Sequence, residues 1–250
     1  MNTLYEVTAI IPAYNAEKYV EKAITSVLEQ TVKCKVIVVD DASTDGTADL
    51  VEKYQIQYPE QVKIIRKTKN EGVSAARNDA VKMADTTYVA FLDADDWWSD
   101  DKTEIQLQYL KEKKADVCYS GRELISADGT VSQKIVHVPE YTDYDELLKG
   151  NVVPCSSVLL KREITLKYPM KHDELHEDYV VWLSMLRDGV LFVGVDKPFL
   201  KSRLAEGGKS RNKWKSAMMT YKVYRYMGLP VHKALWCFVN YALNGVKKYY

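Results

Sequence analysis

The first half of the chain alternates short apolar runs with stretches of helical period. Val7-Thr8-Ala9-Ile10-Ile11 is an apolar run closed by Pro12, and Val36-Ile37-Val38-Val39 is an unbroken β-branched run. Continuous runs of this kind suit parallel strands covered on both faces. Between them, Tyr19, Val20, Ala23, Ile24, Val27 and Leu28 share one face of a helix predicted over 16–30, with Asn15 as its N-cap. A second helix opens at Asp45-Gly46-Thr47, with Leu50, Val51 and Tyr54 inward. A strand over 62–65, an alanine-rich helix over 73–84 and a strand over 88–92 follow. The last of these runs into Asp93-Ala94-Asp95-Asp96. A helix over 100–113 and a strand over 117–119 complete the series. Such alternation implies right-handed βαβ units and a mostly parallel sheet.

After Ser120 the pattern loosens. Ala127-Asp128-Gly129-Thr130 reads as a hairpin turn. Strands are predicted over 156–160, 191–193 and 198–200. A helix over 177–187 is apolar on nearly every side, as buried helices are. The stretch 201–215 is basic and holds Gly207-Gly208, so it predicts a mobile loop. Trp214, Met218, Tyr221, Tyr224 and Met227 then fall at helical spacing, Gly228 and Pro230 break that helix, and a final helix is predicted over 234–246. No internal repeat or low-complexity tract interrupts the chain.

Composition narrows the class. At 250 residues, 46% hydrophobic and 28% charged, the chain can bury one sizeable α/β core, and disordered, collagen-like and coiled-coil readings fall away. The net charge is zero, so no global field draws it to nucleic acid. That zero hides a split, however: 201–250 carries +10 and the first 200 residues −10. The tail therefore faces something anionic, and a phosphate-bearing ligand and a membrane surface are both candidates. Cys34, Cys118, Cys155 and Cys237 form no C-x-x-C pair, which predicts buried free thiols in a reducing compartment. No secretory signal is visible, and the longest apolar-rich run, 234–243, is shorter than the ~20 residues a membrane span needs.

In open α/β sheets, ligands bind beyond the carboxyl ends of the strands. The first strand ends at Pro12-Ala13-Tyr14-Asn15, the second at Asp40-Asp41 and the fourth at Asp93-Ala94-Asp95. One rim thus gathers an aromatic ring and several carboxylates. Crowded carboxylates raise one another's pKa, and a divalent cation relieves this. Asp-x-Asp suits Mg²⁺ or Mn²⁺ rather than zinc. Such aspartates also serve simply to cap a following helix, although Ser99 or Asp100 can already do so. Tyr14 can stack on a base, and Asp41 can accept a hydrogen bond from a base N–H. No G-x-G-x-x-G or G-x-x-x-x-G-K-[ST] is present, which disfavours a dinucleotide cofactor and a P-loop ATPase.

Four segments occur in order: Ile10-Ile11-Pro12-Ala13-Tyr14-Asn15, Val39-Asp40-Asp41-Ala42-Ser43-Thr44-Asp45-Gly46-Thr47, Asn70-Glu71-Gly72 with Ala76-Arg77-Asn78, and Leu92-Asp93-Ala94-Asp95-Asp96. Together they resemble the family 2 glycosyltransferases, inverting enzymes of the GT-A fold that use nucleotide-sugar donors. The resemblance covers residues 5–205. It implies that Pro12, Tyr14 and Asp41 line a uracil pocket, with Arg77 near the nucleotide. It also implies that Asp93 sits at the ribose and metal edge, and that Asp95 ligates the Mn²⁺ or Mg²⁺ that holds the diphosphate. Family members carry a downstream Glu-Asp pair opening a helix with a Trp, matched by Glu177-Asp178-Tyr179-Val180-Val181-Trp182. Asp178 would then be the catalytic base, with Glu177 and His176 as neighbouring contenders. The competing role for Asp178 is an N-terminal acid favoured by the helix dipole.

Arg203, Lys209, Ser210 and Arg211 either close over the diphosphate or form a solvated basic loop. His172 and His176 either join a metal site or serve as surface polar groups. In the tail, Trp236, Phe238 and Leu243, flanked by Lys233, Lys247 and Lys248, suit a helix lying in a membrane interface. Packing on the catalytic domain or on a second subunit is the alternative.

The expected architecture is a GT-A-like domain over 1–205, a mixed, mostly parallel sheet with helices on both faces, followed by a basic loop and amphipathic helices over 206–250. The expected reaction moves a sugar, with inversion, from a UDP-sugar to a hydroxyl of a glycan or lipid-linked acceptor. The setting would be bacterial surface polysaccharide synthesis, with the protein cytoplasmic and peripheral on the inner face of the cell membrane. One rival is a non-catalytic nucleotide-sugar-binding scaffold. Another is a sugar-nucleotide pyrophosphorylase, which needs a glycine-rich basic loop where this chain has Pro12-Ala13-Tyr14-Asn15.

Overall fold

The computed structural model describes residues 4–126, 129–204 and 213–249. The N-terminal half builds β1 (Val7–Ala13), α1 (Val20–Leu28), β2 (Cys34–Asp40), α2 (Thr47–Gln57), β3 (Val62–Arg66), α3 (Val73–Met83) and β4 (Tyr88–Phe91). These four strands are parallel, in the order β3-β2-β1-β4, with Ile10 in register with both Ile37 and Phe91. The continuous apolar runs have a direct cause. Ile10, Ile37 and Phe91 face one core layer, and Ile11, Val38 and Ala90 face the other. Helices α1 and α2 cover the second layer and α3 the first.

The second half adds β5 (Trp97–Trp98), α4 (Lys102–Lys113), β6 (Val117–Ile125), β7 (Val131–Val136), α5 (Tyr144–Leu148), β8 (Leu159–Lys161), α6 (Arg162–Lys167), α7 (Glu177–Arg187), β9 (Phe192–Arg203), α8 (Lys213–Tyr226) and α9 (Val231–Tyr249). The sheet continues β4-β8-β6-β9-β5, with β7 paired to β6. Here β8 is antiparallel to both neighbours, whereas β6 and β9 run parallel. Helix α4 covers the second core layer; α7, with Trp182 fully buried, covers the first.

Several expectations are corrected. Helix α1 starts at Val20, and Asn15 does not cap it. Asn15 adopts a left-handed φ of 50° and its Oδ1 accepts the Thr44 N–H at 2.9 Å, so it shapes the turn after β1. The two short strands expected after 190 are one strand, β9, because the Asp196-Lys197-Pro198 interruption is absorbed by a register shift against β6 between Ser120 and Arg122. The strand expected to begin at 156 starts with a 3₁₀ turn over Cys155–Ser157. Residues 201–203 belong to β9, while 205–212 of the expected loop lie outside the described residues. The hairpin is present, with the Ser126 N–H bonded to the Thr130 carbonyl, though 127–128 lie outside the described residues.

The tail helices pack on their own domain. Val223 and Tyr224 of α8 and Ala234 and Cys237 of α9 are fully buried in the first core layer. All four cysteines are free. Among the described residues no helix is long and apolar enough to cross a membrane. One buried group stands apart. Lys102 is wholly enclosed at the start of α4, its Nζ lies 3.9 Å from the Trp98 ring centroid, and among the described residues it has no hydrogen-bond partner.

Candidate active site

The carboxyl ends of β1, β2 and β4 converge as expected. Tyr14 is 51% exposed just past β1, leaving its ring available to a ligand. Asp41 is nearly buried, and its two carboxylate oxygens accept the Glu71 N–H at 3.0 Å and the Gly72 N–H at 2.8 Å. The end of β2 is thereby tied to the loop before α3. One lone pair on each Asp41 oxygen stays available. The Lys67 ammonium lies 3.8 Å away.

Gly72 is held at φ +90°, and the Asp173 carboxylate occupies the place of a side chain there. Asp173 also accepts from the backbone N–H of Ser74 and from its hydroxyl, so the segment before α7 is tied to the first turn of α3. Nothing in the sequence signals this link. Asp173 belongs to no motif, and it meets Ser74 across 99 positions.

Arg77 is buried under the rim. Its Nη2 donates to Asp93 at 2.6 Å and its Nη1 to Glu177 at 3.1 Å. It therefore joins the end of β4 to the first turn of α7. The Asp93 N–H donates to the Ser156 hydroxyl at 3.1 Å. Asp96, just beyond the Asp-x-Asp pair, is buried and accepts the Arg203 N–H at 2.8 Å. The Arg203 guanidinium lies over the rings of Tyr19, at 4.7 Å, and Trp97, at 5.6 Å. Of the expected diphosphate group, Arg203 thus sits against the aspartate turn, while Lys209, Ser210 and Arg211 lie outside the described residues.

The electrostatics follow from this crowding. Burial, and then the charge of Asp93, push the Asp95 carboxyl up to about 6, against the pull of Arg203. Burial, Asp93 and Asp95 hold Asp96 well above the usual carboxylate range. Such a turn favours a cation. Among the described residues, no group of three His, Cys, Asp or Glu side chains is placed to hold a metal ion. A Mg²⁺-like ion that takes one or two carboxylates and completes its shell with phosphate and water needs no such cage, so Asp93 and Asp95 fit it.

Asp178 lies in the first turn of α7, where its Oδ1 accepts the Tyr179 N–H at 2.8 Å. Burial and the neighbouring Glu177 raise its carboxyl to about 6, opposed by Arg77 and His176. It faces a cleft of about 770 Å³ whose walls also include Asp93, Ser156, His176, Ser216 and Tyr241. Pro12, Tyr14 and Asp41 stand at the same sheet rim but outside that lining. His176 Nε2 lies 3.1 Å from the Ser216 carbonyl, and His172 contacts Glu174 and the Tyr226 hydroxyl, so both histidines are engaged by protein groups.

Residues 8–165 match the model described as glycosyl transferase family 2. The chain is a family 2 glycosyltransferase. This membership sets the pyrophosphorylase rival aside. The chain is 40% identical over 244 residues to TuaG of Bacillus subtilis, a glycosyltransferase named for teichuronic acid biosynthesis; the match covers 97% of this chain and 96% of the relative. It is 32% identical over 248 residues to WfaP of Escherichia coli, with 97% of this chain and 95% of the relative covered. WfaP is named a UDP-Glc:α-D-GlcNAc-diphosphoundecaprenol β-1,3-glucosyltransferase. The mannosyltransferase PcManGT of Pyrobaculum calidifontis, solved with GDP-Man and Mn²⁺, superposes with a TM-score of 0.69 at 18% identity, over 95% of this chain and 73% of its own. The fold of this glycosyltransferase is GT-A, with the mixed sheet described above.

Proposed function

We propose that this glycosyltransferase moves a sugar, with inversion, from a UDP-sugar to a hydroxyl of a lipid-linked or glycan acceptor, with Asp178 as base. The observation that carries the reading is the shared placement of Asp93 and Asp178. Both face one cleft, and a single buried guanidinium bonds Asp93 and Glu177, the residue before Asp178.

The donor lies along the rim. Uracil stacks on Tyr14 beside Pro12, and its N–H donates to a remaining lone pair of Asp41. The ribose lies at Asp93. Asp95 would hold Mn²⁺ or Mg²⁺ at the diphosphate, and Arg203, Lys209 and Arg211 supply further positive charge, with Ser210 offering a hydroxyl donor. When bound, the cation stabilises negative charge on the leaving diphosphate. The acceptor hydroxyl enters by the cleft and attacks the anomeric carbon from the face opposite UDP. A new C–O bond forms as the bond to the diphosphate breaks. The hydroxyl proton passes to Asp178, and UDP leaves with the electron pair. Inversion follows from the single displacement.

The names of TuaG and WfaP support an acceptor of the bacterial surface polysaccharide kind, carried on a lipid diphosphate. A peripheral position on the inner face of the cell membrane suits such an acceptor. Thermal unfolding with UDP, GDP, CMP and NAD⁺, each with and without Mn²⁺, tests the donor site. Ligands that bind the folded state raise its apparent stability. A rise with UDP that requires Mn²⁺ is expected. A rise with another nucleotide alone would overturn the UDP assignment, and no rise with any would overturn the donor site.

A further inference from the structure

Each tail helix turns one face outward among the described residues. On α9, Val231, Leu235 and Val239 recur every four residues, with Trp236 beside them, and all are exposed; Leu235 is at 49% and Trp236 at 55%. Around the helix they form a mainly apolar arc, which also holds exposed His232, opposite Ala234 and Cys237, which are fully buried. Exposed Lys233 borders this arc and pairs with Asp145 at 3.5 Å. On α8 the outward face mixes Trp214 and Met218 with Lys215, Lys222 and Arg225, all exposed. The edge-on contact of Tyr221 with Phe238, at 6.0 Å, pins the two helices together.

We infer that these outward faces of α8 and α9 seat the protein on an anionic phospholipid bilayer and bring the acceptor cleft to the lipid surface. Charge selects this occupant. Residues 207–250 hold nine Lys and Arg and no Asp or Glu, whereas the first 200 residues carry a net −10. An anionic surface therefore attracts the tail and repels the body, which fixes the approach. The aromatic and aliphatic side chains then enter the headgroup region, as in interfacial helices. A second copy of this chain would set one basic face against another.

The same two helices line the cleft from their other side. Ser216 of α8 and Tyr241 of α9 are part of the wall that faces Asp178. Outer face and inner wall are thus two sides of one helical pair. A sugar carried on a lipid diphosphate can reach the cleft while its chain stays in the bilayer. This last point rests on the lipid-linked acceptor proposed above; the docking face itself does not.

The test is co-sedimentation of the purified protein with phosphatidylcholine vesicles, with and without phosphatidylglycerol. The wild type should pellet with the anionic vesicles and stay in solution with the neutral ones. The double variant Leu235→Glu/Trp236→Glu should lose at least about tenfold in apparent vesicle affinity, since it places two charges in the apolar arc. Lys215→Glu/Lys222→Glu should lose a comparable factor at low salt and less at high salt. All three proteins should keep the same UDP-dependent rise in melting temperature. A wild type that stays in solution overturns the inference, as does a Leu235→Glu/Trp236→Glu variant that pellets equally well. A wild-type dimer that this variant splits into monomers also overturns it, by giving the face to a second copy. Loss of the UDP effect in the wild type would instead strike the donor site, and the two failures are read separately.

Discussion

Arg77 and Glu177, one hundred positions apart, meet inside the protein with Nη1 3.1 Å from the carboxylate. With the second bond to Asp93, the guanidinium holds the β4 end and the α7 start at a fixed spacing. Removing it takes the buried cation away from two carboxylates. Arg77→Ala should therefore cost about 3–5 kcal/mol in urea unfolding and abolish transfer. Arg77→Lys should recover part of the stability but little turnover, because an ammonium cannot fork to both partners.

Asp178 gives an acid limb to the pH profile. As the proposed base it must be ionised, and burial and Glu177 raise its carboxyl to about 6. The rate should rise through pH 6 and level off above it. Asp178→Asn should lower turnover by about 10²–10⁴. The same substitution should stabilise the fold. A raised carboxyl pKa favours the folded state at low pH, and that contribution is lost as pH rises through 6, so at neutral pH the ionised group is a burden of about 3 kcal/mol. A higher melting temperature with lost activity is the expected pair of results.

Asp95 carries the metal prediction. Asp95→Ala should abolish the Mn²⁺ dependence of UDP binding in titration calorimetry. Chelation of Mn²⁺ from the wild type should reproduce that loss, and added Mn²⁺ should reverse it.

Tyr14 separates binding from folding. Its ring is half exposed, so Tyr14→Ala should leave stability within about 0.5 kcal/mol. Loss of base stacking should weaken UDP binding by about 1–3 kcal/mol. Equilibrium titration checks the second figure and denaturant unfolding the first.

Lys102 tests the core. Burial drives its ammonium down to about 7, only partly offset by Cys118 and Cys34. Between that value and the ordinary lysine range the unfolded chain binds the extra proton, so stability should rise with pH above 7. Lys102→Met should remove this rise and gain a few kcal/mol at pH 7. The difference between the two proteins, followed over pH 7–8.5, isolates the contribution from the buried thiols.

Much of the fold was legible because burial on both sheet faces writes itself as unbroken apolar runs. The rim was legible because Tyr14, Asp41, Asp93 and Asp95 follow the apolar runs of the first, second and fourth strands. Helix α7 matched its predicted bounds, since its apolar circumference has no surface reading. Strand β9 was legible only as two pieces, because Asp196-Lys197-Pro198 looks like a turn when the partner strand is unseen. The anchors of the site were hidden for a related reason. Asp173 on Ser74, Glu177 on Arg77 and Arg203 on Asp96 are contacts between segments roughly a hundred positions apart, and local periodicity carries no trace of them. The tail offered two fates, membrane interface or packing on the domain. The structure gives the packed fate to one face and leaves the other outward.

Gly72 has a mechanical consequence. Its N–H is bound to Asp41, and the space beside its Cα is filled by Asp173. One residue without a side chain thus clamps the floor of the proposed donor pocket to the segment that precedes α7. That floor is an anvil rather than a jaw: it is set before any nucleotide arrives, so the proposed donor site predicts entry and UDP release from the open Tyr14 side. Ligand exchange should accordingly leave the Glu71, Gly72 and Ser74 amides, all bonded to Asp41 or Asp173, protected from hydrogen exchange.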